Sequence, residues 1–433
     1  VSTPDREPTP DTPRSTFDPG RTQRGGLIQV VGIGADGIEG LSEHVREIIH
    51  DGQVIFGSPR QLAAITATDG QELVAWPRPL LPALRETLDQ HKHKRRVVLA
   101  SGDPLRSGIG TTLISVFGSG NIRIIPTVSS DALARARLGW SAESSDVITV
   151  VGRRTSLVLR ALAPGRRLVV LSSDEATPRE IARLLTDAGY GPTTLTVLGN
   201  LGGPTESALS GTARQWSGSD VPEFPRLNVV CCECQADPDI AVLPTIAGLP
   251  DTAYEHDGQL TKREIRASAL AHLAPSPGHL LWDVGAGAGS IAIEWMRADA
   301  RAQAIAIEKS PDRAAAIRRN ADRLGVPDLH VVTGDAPDAF VGLPTPQAIF
   351  IGGGATAEGL LDACWSALGA RGRLVVHAVT VQTEALLHAA QAKYGGELVR
   401  VSVEYLQPIG SFSGWAPSRA VTQWSATRPA RNS

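Results

Sequence analysis

The stretch LLWDVGAGAGS, residues Leu280–Ser290, decides the fold. Five residues that suit a buried strand run into glycine at positions 285, 287 and 289, and the helical pattern IAIEWMRA begins at once. A strand that turns through glycines into a helix opens an α/β binding site: the backbone approaches a ligand closely and the helix offers free N–H groups. A dinucleotide loop reads G-x-G-x-x-G and would place its third glycine at position 290. Ser290 stands there instead. G-x-G-x-G behind Asp283 favours S-adenosylmethionine (SAM), which has no pyrophosphate to cradle. Glu308 ends the next strand, AIAIE, 19 residues after Gly289. A carboxylate there is placed to accept both ribose hydroxyls. Asp335 ends the third strand, in TGDA, in position for an adenine amino group. Taken singly, each acid also reads as a solvated carboxylate at a strand end.

Outward from this loop, strand and helix patterns alternate from His279 to the end. Five β/α units precede two strands, ELVRVSVEYL and AVTQWSAT, with no helix between them. That is the element order of a class I methyltransferase sheet, whose last two strands form an antiparallel edge. Upstream, Thr261-x-x-Glu264 has the spacing of a capping box and predicts a helix start.

HDGQLTKRE, LLWDVGAGAGS, AIEKSPDR, VTGDAPDAF, FIGGG and HAVT together resemble the methyltransferase domain family of the cobalamin pathway, over about residues 245–427. The resemblance implies methylation of a precorrin at C15 and loss of CO2 from the C12 acetate. It also implies SAM contacts from Thr261, Asp283, Gly285, Ala286, Gly287, Ala288, Gly289, Glu308, Asp335, Ala336 and Gly353. His377 stands where that family usually has Asn. Glu294, Tyr254, His256 and His377 are the candidate acid/base groups, without a motif that assigns any of them.

The first half carries GIGADG at residues 32–37, a second G-x-G-x-x-G after a strand. A dinucleotide site needs an acid at the end of the following strand, and QVIFGS ends in Gly57 and Ser58. The reading fails there. GIGADGIEGLS, SGDPLRSGIG, IPTVSSDALARARLGW and NLGGPTE, in this order, resemble the tetrapyrrole methylase family over about residues 27–236. That resemblance implies two α/β lobes and a second SAM, contacted by Gly32, Gly34, Gly102, Asp103, Pro104, Gly108, Ile109, Ser129 and Ser130. Two departures stand out: Ala35 replaces the usual proline, and Arg106-Ser107 replaces a common hydrophobic pair. The arginine reads either as a contact for substrate carboxylates or as solvent-facing. The basic run HKHKRR, residues 91–96, reads as a solvated helix C-terminus.

The expected architecture is therefore α/β throughout: a two-lobed tetrapyrrole methylase fold over 26–236, a Pro-rich linker over 237–254, and a Rossmann-like class I methyltransferase sheet over 255–433. Residues 1–25, almost devoid of apolar side chains, read as a disordered tail. Fused in this order, the halves resemble bifunctional precorrin methyltransferases. The resemblance implies conversion of precorrin-6B and two SAM, one per domain, to precorrin-8, two S-adenosylhomocysteine and CO2. It also implies a homo-oligomer.

Composition agrees with this reading. Lys+Arg (42) and Asp+Glu (45) nearly balance, so no basic excess points to nucleic acid or a membrane surface. Aromatic residues make up 4 %, too few for a base-stacking platform. No apolar run approaches a membrane span, and no secretory leader is apparent, so a cytoplasmic enzyme is expected. Cys231, Cys232 and Cys234 sit in the strand pattern LNVVCCEC and read as small apolar residues; no His/Cys/Asp set has metal-ligand spacing, so no metal is expected. Two other functions fit the same residues: a SAM-dependent methyltransferase for another molecule with a silent first domain, and a SAM-binding regulator without turnover.

Overall fold

The computed structural model describes residues 26–219 and 221–430. The tail expected over residues 1–25 lies outside the described residues. Packing divides the chain into two units. One runs up to Leu133 with Asn200–Glu206 added; the other joins Ala134–Gly199 to the chain from Ser207 onward.

The first unit holds strands β1 (Ile28–Ile33), β2 (Val54–Gly57), β3 (Glu72–Ala75), β4 (Arg96–Ser101) and β5 (Ile122–Ile125) in the order β3-β2-β4-β1-β5. All pairings are parallel. A parallel sheet is covered on both faces, which explains why β1, β2 and β4 are almost uninterrupted apolar runs. Side chains alternate between two cores: Val30, Phe56 and Val98 pack on one face, Val31, Ile55 and Leu99 on the other. The helix that begins at Pro59 stops after one turn at Leu62. Strand β3 follows it, and helix Leu80–Asp89 makes the crossover to β4.

The second unit contains two large sheets. Strands β6 (Asp146–Thr149), β7 (Arg167–Leu171), β8 (Thr194–Gly199), β9 (Ser207–Thr212) and β10 (Asn228–Glu233) form a mixed sheet in the order β6-β7-β10-β8-β9. Its central strand β10 carries the cysteine cluster. All four cysteines of the chain are unpaired and buried, and burial pushes the Cys231 and Cys234 thiols up to about 12.

The other sheet comprises β11 (Leu280–Val284), β12 (Gln303–Glu308), β13 (His330–Thr333), β14 (Ala348–Ile351), β15 (Arg373–Ala378), β16 (Glu397–Val401) and, after the hairpin β17 (Glu404–Ile409)–β18 (Phe412–Pro417), β19 (Val421–Thr427). The order is β13-β12-β11-β14-β15-β19-β16. The first five strands are parallel, and β19 runs antiparallel to both β15 and β16. This is the expected sheet with one addition: ELVRVSVEYL breaks at Ser402-Val403, and its second part forms the hairpin. Helices Arg263–Leu273, Ser290–Ala298 and Pro311–Arg323 cover one face, and Leu360–Ala367 and Val381–Tyr394 the other.

The segment 237–254 has no regular element beyond one helical turn, Asp251–Ala253, yet it is not a free linker. Asp237 N–H donates to the Gly189 carbonyl (2.8 Å), and Leu249 and Tyr254 are buried. Arg297 donates to the carbonyls of Leu243 (2.9 Å) and Pro244 (3.3 Å). Residues 238–242, 244–247 and Thr252 lie open to solvent. Within the same unit, Ser156 Oγ donates to Asp322 (2.6 Å) and Arg154 pairs with it (3.0 Å), tying the mixed sheet's layer to the seven-stranded one.

Candidate active site

The glycine loop follows β11, an interior strand flanked by β12 and β14. Gly285 and Gly287 both have positive φ (68° and 58°). A side chain at 285 would stand 3.0 Å from the Gly353 carbonyl, and one at 287 would stand 2.7 Å from that of Gln259. The loop therefore lies pressed between the 352–354 turn and the strap 258–262, with no room for a Cβ. Asp283 is buried at the end of β11. Its Oδ2 accepts from Ala292 N–H (3.1 Å), pinning the start of the following helix, while Oδ1 has no partner. Burial raises its carboxyl to about 7, and the nearby Glu308 adds to the rise against the Ala292 hydrogen bond.

Glu308, at the end of β12, accepts from Gly287 N–H (2.9 Å) and Ser310 N–H (3.0 Å). Each oxygen keeps a lone pair, so the group shapes the loop and still offers acceptors. A cavity of about 770 Å³ opens in front of it at the carboxyl ends of the strands. Thr261, Gly285, Ala286, Gly287, Glu308, Asp335, Ala336, Gly353 and His377 all line it. Asp283 and the buried Ala288 and Gly289 lie behind the loop and support it. Ile265, Leu360, Val379 and Val421 give the cavity an apolar wall. The glycine cradle, the free acceptor positions of Glu308, exposed Asp335 and the volume fit SAM, whose sulfonium is cationic.

His377, the penultimate residue of β15, lies at the cavity, 7 % exposed, with the Phe350 ring edge-on at 4.9 Å. Its Nε2 shares a hydrogen bond with Gln423 Oε1 (3.0 Å). Burial lowers its pKa to about 4. At neutral pH it is an uncharged hydrogen-bonding group and not an imidazolium acid.

Three expectations are corrected. Glu294 is 2 % exposed and lies outside the cavity. Its carboxylate accepts from Gly248 N–H (2.6 Å), Leu249 N–H (3.1 Å), Tyr254 Oη–H (2.9 Å) and Arg266 Nε–H (2.5 Å). It anchors residues 248–254 to the domain core, and with Tyr254 it has no free position for acid/base work. His256 is exposed, accepts from Gly258 N–H (3.0 Å), and borders a separate, smaller cavity of about 270 Å³. Thr261 does not cap: the helix begins after Lys262, without a side-chain cap bond, and Glu264 accepts from Tyr405 Oη–H (2.6 Å) instead.

In the first unit, the candidate contacts gather at the carboxyl ends of β1, β4 and β5, three neighbouring parallel strands. A Cβ at Gly32 would meet the Gly102 carbonyl at 2.2 Å, and one at Gly108 the Pro104 carbonyl at 2.7 Å. Gly32 packs its loop against the next one, while Gly34 and Gly108 lie against Asp36 and Pro104 of their own loops. Asp103 Oδ1 accepts from Leu105 N–H (2.8 Å), closing a local turn that precedes the helix starting at Ile109. Ser129 accepts from Ala132 N–H (3.4 Å) at the start of the helix that begins with Ser130. Arg106 is neither free nor aimed at solvent alone: it forms a two-pronged pair with buried Asp131 (3.2 and 2.9 Å).

Sequence reasoning missed the part of the cavity supplied by the hairpin base: Val403, Tyr405, Ser418 and Arg419. Val403 and Tyr405 fall inside the strand pattern ELVRVSVEYL, whose break at 402–403 the sequence does not show, and Ser418 and Arg419 lie in the short connection before the last strand.

Two glycine-loop sites on two α/β scaffolds define a two-domain methyltransferase, and sequence comparison agrees. Residues 28–216 match the Tetrapyrrole (Corrin/Porphyrin) Methylases, and residues 252–428 match the Precorrin methyltransferase domain. A curated Sinorhizobium sp. protein, precorrin-6Y C(5,15)-methyltransferase [decarboxylating], is 45 % identical over 93 % of this chain and 96 % of its own length. The protein of the same name from Mycobacterium tuberculosis (strain ATCC 25618 / H37Rv) is 45 % identical over 93 % of this chain and 100 % of its own. The solved C-terminal domain of the Rhodobacter capsulatus precorrin-6Y C5,15-methyltransferase is 43 % identical; it covers 43 % of this chain and 100 % of that one, with a TM-score of 0.41. The chain belongs to the family of decarboxylating precorrin-6Y C5,15-methyltransferases.

Proposed function

We propose that this protein transfers two methyl groups from SAM to a precorrin, at C5 through residues 26–236 and at C15 through residues 255–433. The C-terminal region also releases the C12 acetate carboxyl as CO2. The substrate is precorrin-6B and the products are precorrin-8, two S-adenosylhomocysteine and CO2, with one SAM per domain. The observation that carries the reading is the single cavity in which the glycine loop, Glu308 and Asp335 meet an apolar wall, in a chain of this family.

SAM supplies a methyl group made electrophilic by its sulfonium. The chain's own part is to bind, orient and dry the reactants. Glu308 and Asp335 hold the ribose and adenine ends, while the 285–289 backbone closes on the rest. Ile265, Leu360, Val379 and Val421 exclude water from the carbon that accepts the methyl and strip solvent from the acetate carboxylate that must leave. Neutral His377 positions a polar group of the substrate by a hydrogen bond and does not donate a charged imidazolium proton. Product mass with methyl-labelled SAM tests the reading: two labelled methyls and the loss of one CO2 are expected. One methyl without CO2 loss would favour a methyltransferase with a silent first domain, and tight SAM binding without turnover would favour a regulator.

Self-association and a cytoplasmic location belong to the same proposal. The β17–β18 hairpin exposes Leu406, Ile409, Phe412 and Trp415, between 60 and 79 % accessible, which suits burial against a second copy. Light scattering that gives a monomer mass would contradict this. Among the described residues no helix is long and apolar enough to cross a membrane.

A further inference from the structure

The cavity of the C-terminal region is electrically divided along the sheet. Reading across the strands, Asp335 follows β13, Glu308 ends β12, the glycine loop follows β11, the 352–354 turn follows β14, and His377 lies one residue before the end of β15. The next strand is β19, and Arg419 stands two residues before it, at the base of the hairpin. Ser418 N–H there donates to the Val403 carbonyl (2.8 Å) and closes that base. Four strand spacings separate β12 from β19, roughly 19 Å. Acids occupy one end of the cavity and a guanidinium occupies the other, beyond the loop and turn that close on the cofactor.

The remaining cations at the cavity are committed or misplaced. Arg313 pairs with Asp257 (2.8 Å), and Lys262 lies 3.4 Å from Asp251. Lys309 follows Glu308, at the acidic end. Arg419 lines the cavity, is exposed, and has no hydrogen-bond or ion-pair partner among the described residues. A planar fork of donors left unpaired at a cavity wall is suited to two-pronged capture of a carboxylate.

We infer that Arg419 is a substrate-specificity residue: it grips a peripheral carboxylate of the tetrapyrrole and so sets which edge of the macrocycle faces the methyl donor. This rests on the C15 methyltransferase reading above. The carboxylate it grips is one that the product retains. A guanidinium on the departing carboxyl would stabilise the charged ground state more than the transition state, in which that charge has moved into the ring, and would slow CO2 loss.

The test compares wild type, Arg419→Gln and Arg419→Lys in the full-length protein, with the precorrin substrate and labelled SAM. For Arg419→Gln the KM for the tetrapyrrole in C15 methylation should rise roughly 10-fold, as for loss of a charged hydrogen bond. The KM for SAM and the ratio of CO2 to C15 methyl should not change. Arg419→Lys should recover part of the loss, and the wild-type KM should climb with salt more steeply than that of Arg419→Gln. An unchanged tetrapyrrole KM in Arg419→Gln overturns the inference, as does a fall in kcat alone. Faster CO2 loss per bound substrate would show that the arginine holds the departing carboxyl instead. Absence of C15 methylation in the wild type would sink the underlying reading, and that outcome is visible before any variant is compared.

Discussion

Replacing Glu294 by alanine separates an anchoring role from a catalytic one. The carboxylate is 2 % exposed and its Arg266 partner 0 %, so the variant leaves Arg266 Nε–H, two backbone N–H groups and the Tyr254 hydroxyl without their acceptor in a dry interior, while the guanidinium keeps Asp251 (3.3 Å) and the carbonyls of Thr261 and Leu249. Tyr254 does not relieve the charge by ionising, because burial, the largest cause, holds its pKa well above the usual value. Breaking one partner of such a buried pair costs about 3–5 kcal/mol. For a cooperative unit of this size each kcal/mol lowers Tm by about 2–4 °C, so the C-terminal transition should fall by roughly 6–20 °C. Scanning calorimetry reads that shift, and C15 methylation assayed well below the lowered transition reads the chemistry. The expected pattern is a large Tm loss with kcat retained per folded molecule. The double variant Arg266→Met/Glu294→Met should recover part of the loss, because no unpaired charge remains inside. An unchanged Tm with kcat abolished would refute the anchoring argument and return Glu294 to the list of proton carriers.

Three further outcomes follow from the same geometry. Burial holds the folded pKa of His377 near 4 against 6.5 in the unfolded chain. The stability it contributes is complete above pH 6.5 and is lost as pH falls toward 4, by up to roughly 3 kcal/mol, so His377→Asn should flatten that part of the urea-denaturation pH profile. A profile as steep as that of wild type would contradict the buried neutral assignment. Asp103→Asn should retain more C5 methylation than Asp103→Ala, since Asn still accepts from Leu105 N–H; equal losses would point to a charge requirement instead. Within the connecting segment, limited proteolysis should cut in the exposed stretches 238–242 and 244–247 before Gly248 and Leu249, which are buried and held by Glu294, read by the masses of the first fragments.

The parts of this molecule that were legible in the sequence are those where local pattern and tertiary role coincide. Leu280–Val284 is buried on both faces because the strand lies inside the sheet, and the glycines after it are required by the walls at Gln259 and Gly353. The shared position of Glu308 and Asp335 was legible because parallel strands deliver their carboxyl ends, and the residues just beyond them, to one edge. What failed was local spacing taken as local structure. Thr261 and Glu264 have capping-box spacing, but Tyr405, 141 residues away, takes the glutamate. Glu294 read as a candidate acid because sequence does not show that four donors from residues 248–266 converge on it. Strand β9, SALSGT, has little β-propensity and exists because β8 pairs along its length. The hairpin β17–β18 carries a proline in each strand and is tolerated because it lies outside the seven-stranded sheet.

The central claim is that one C-terminal cavity performs both C15 methylation and decarboxylation. Glu308→Gln keeps the shape of the side chain but weakens its hold on Gly287 N–H and on the ribose. The decisive measurement is the yield of C15 methyl and of CO2 from the full-length variant under limiting SAM, alongside C5 methylation of a substrate already methylated at C15. The account predicts that methyl and CO2 yields fall together, roughly 10-fold or more, while C5 methylation is unchanged. A loss of C5 methylation with C15 methylation and CO2 release intact would contradict it.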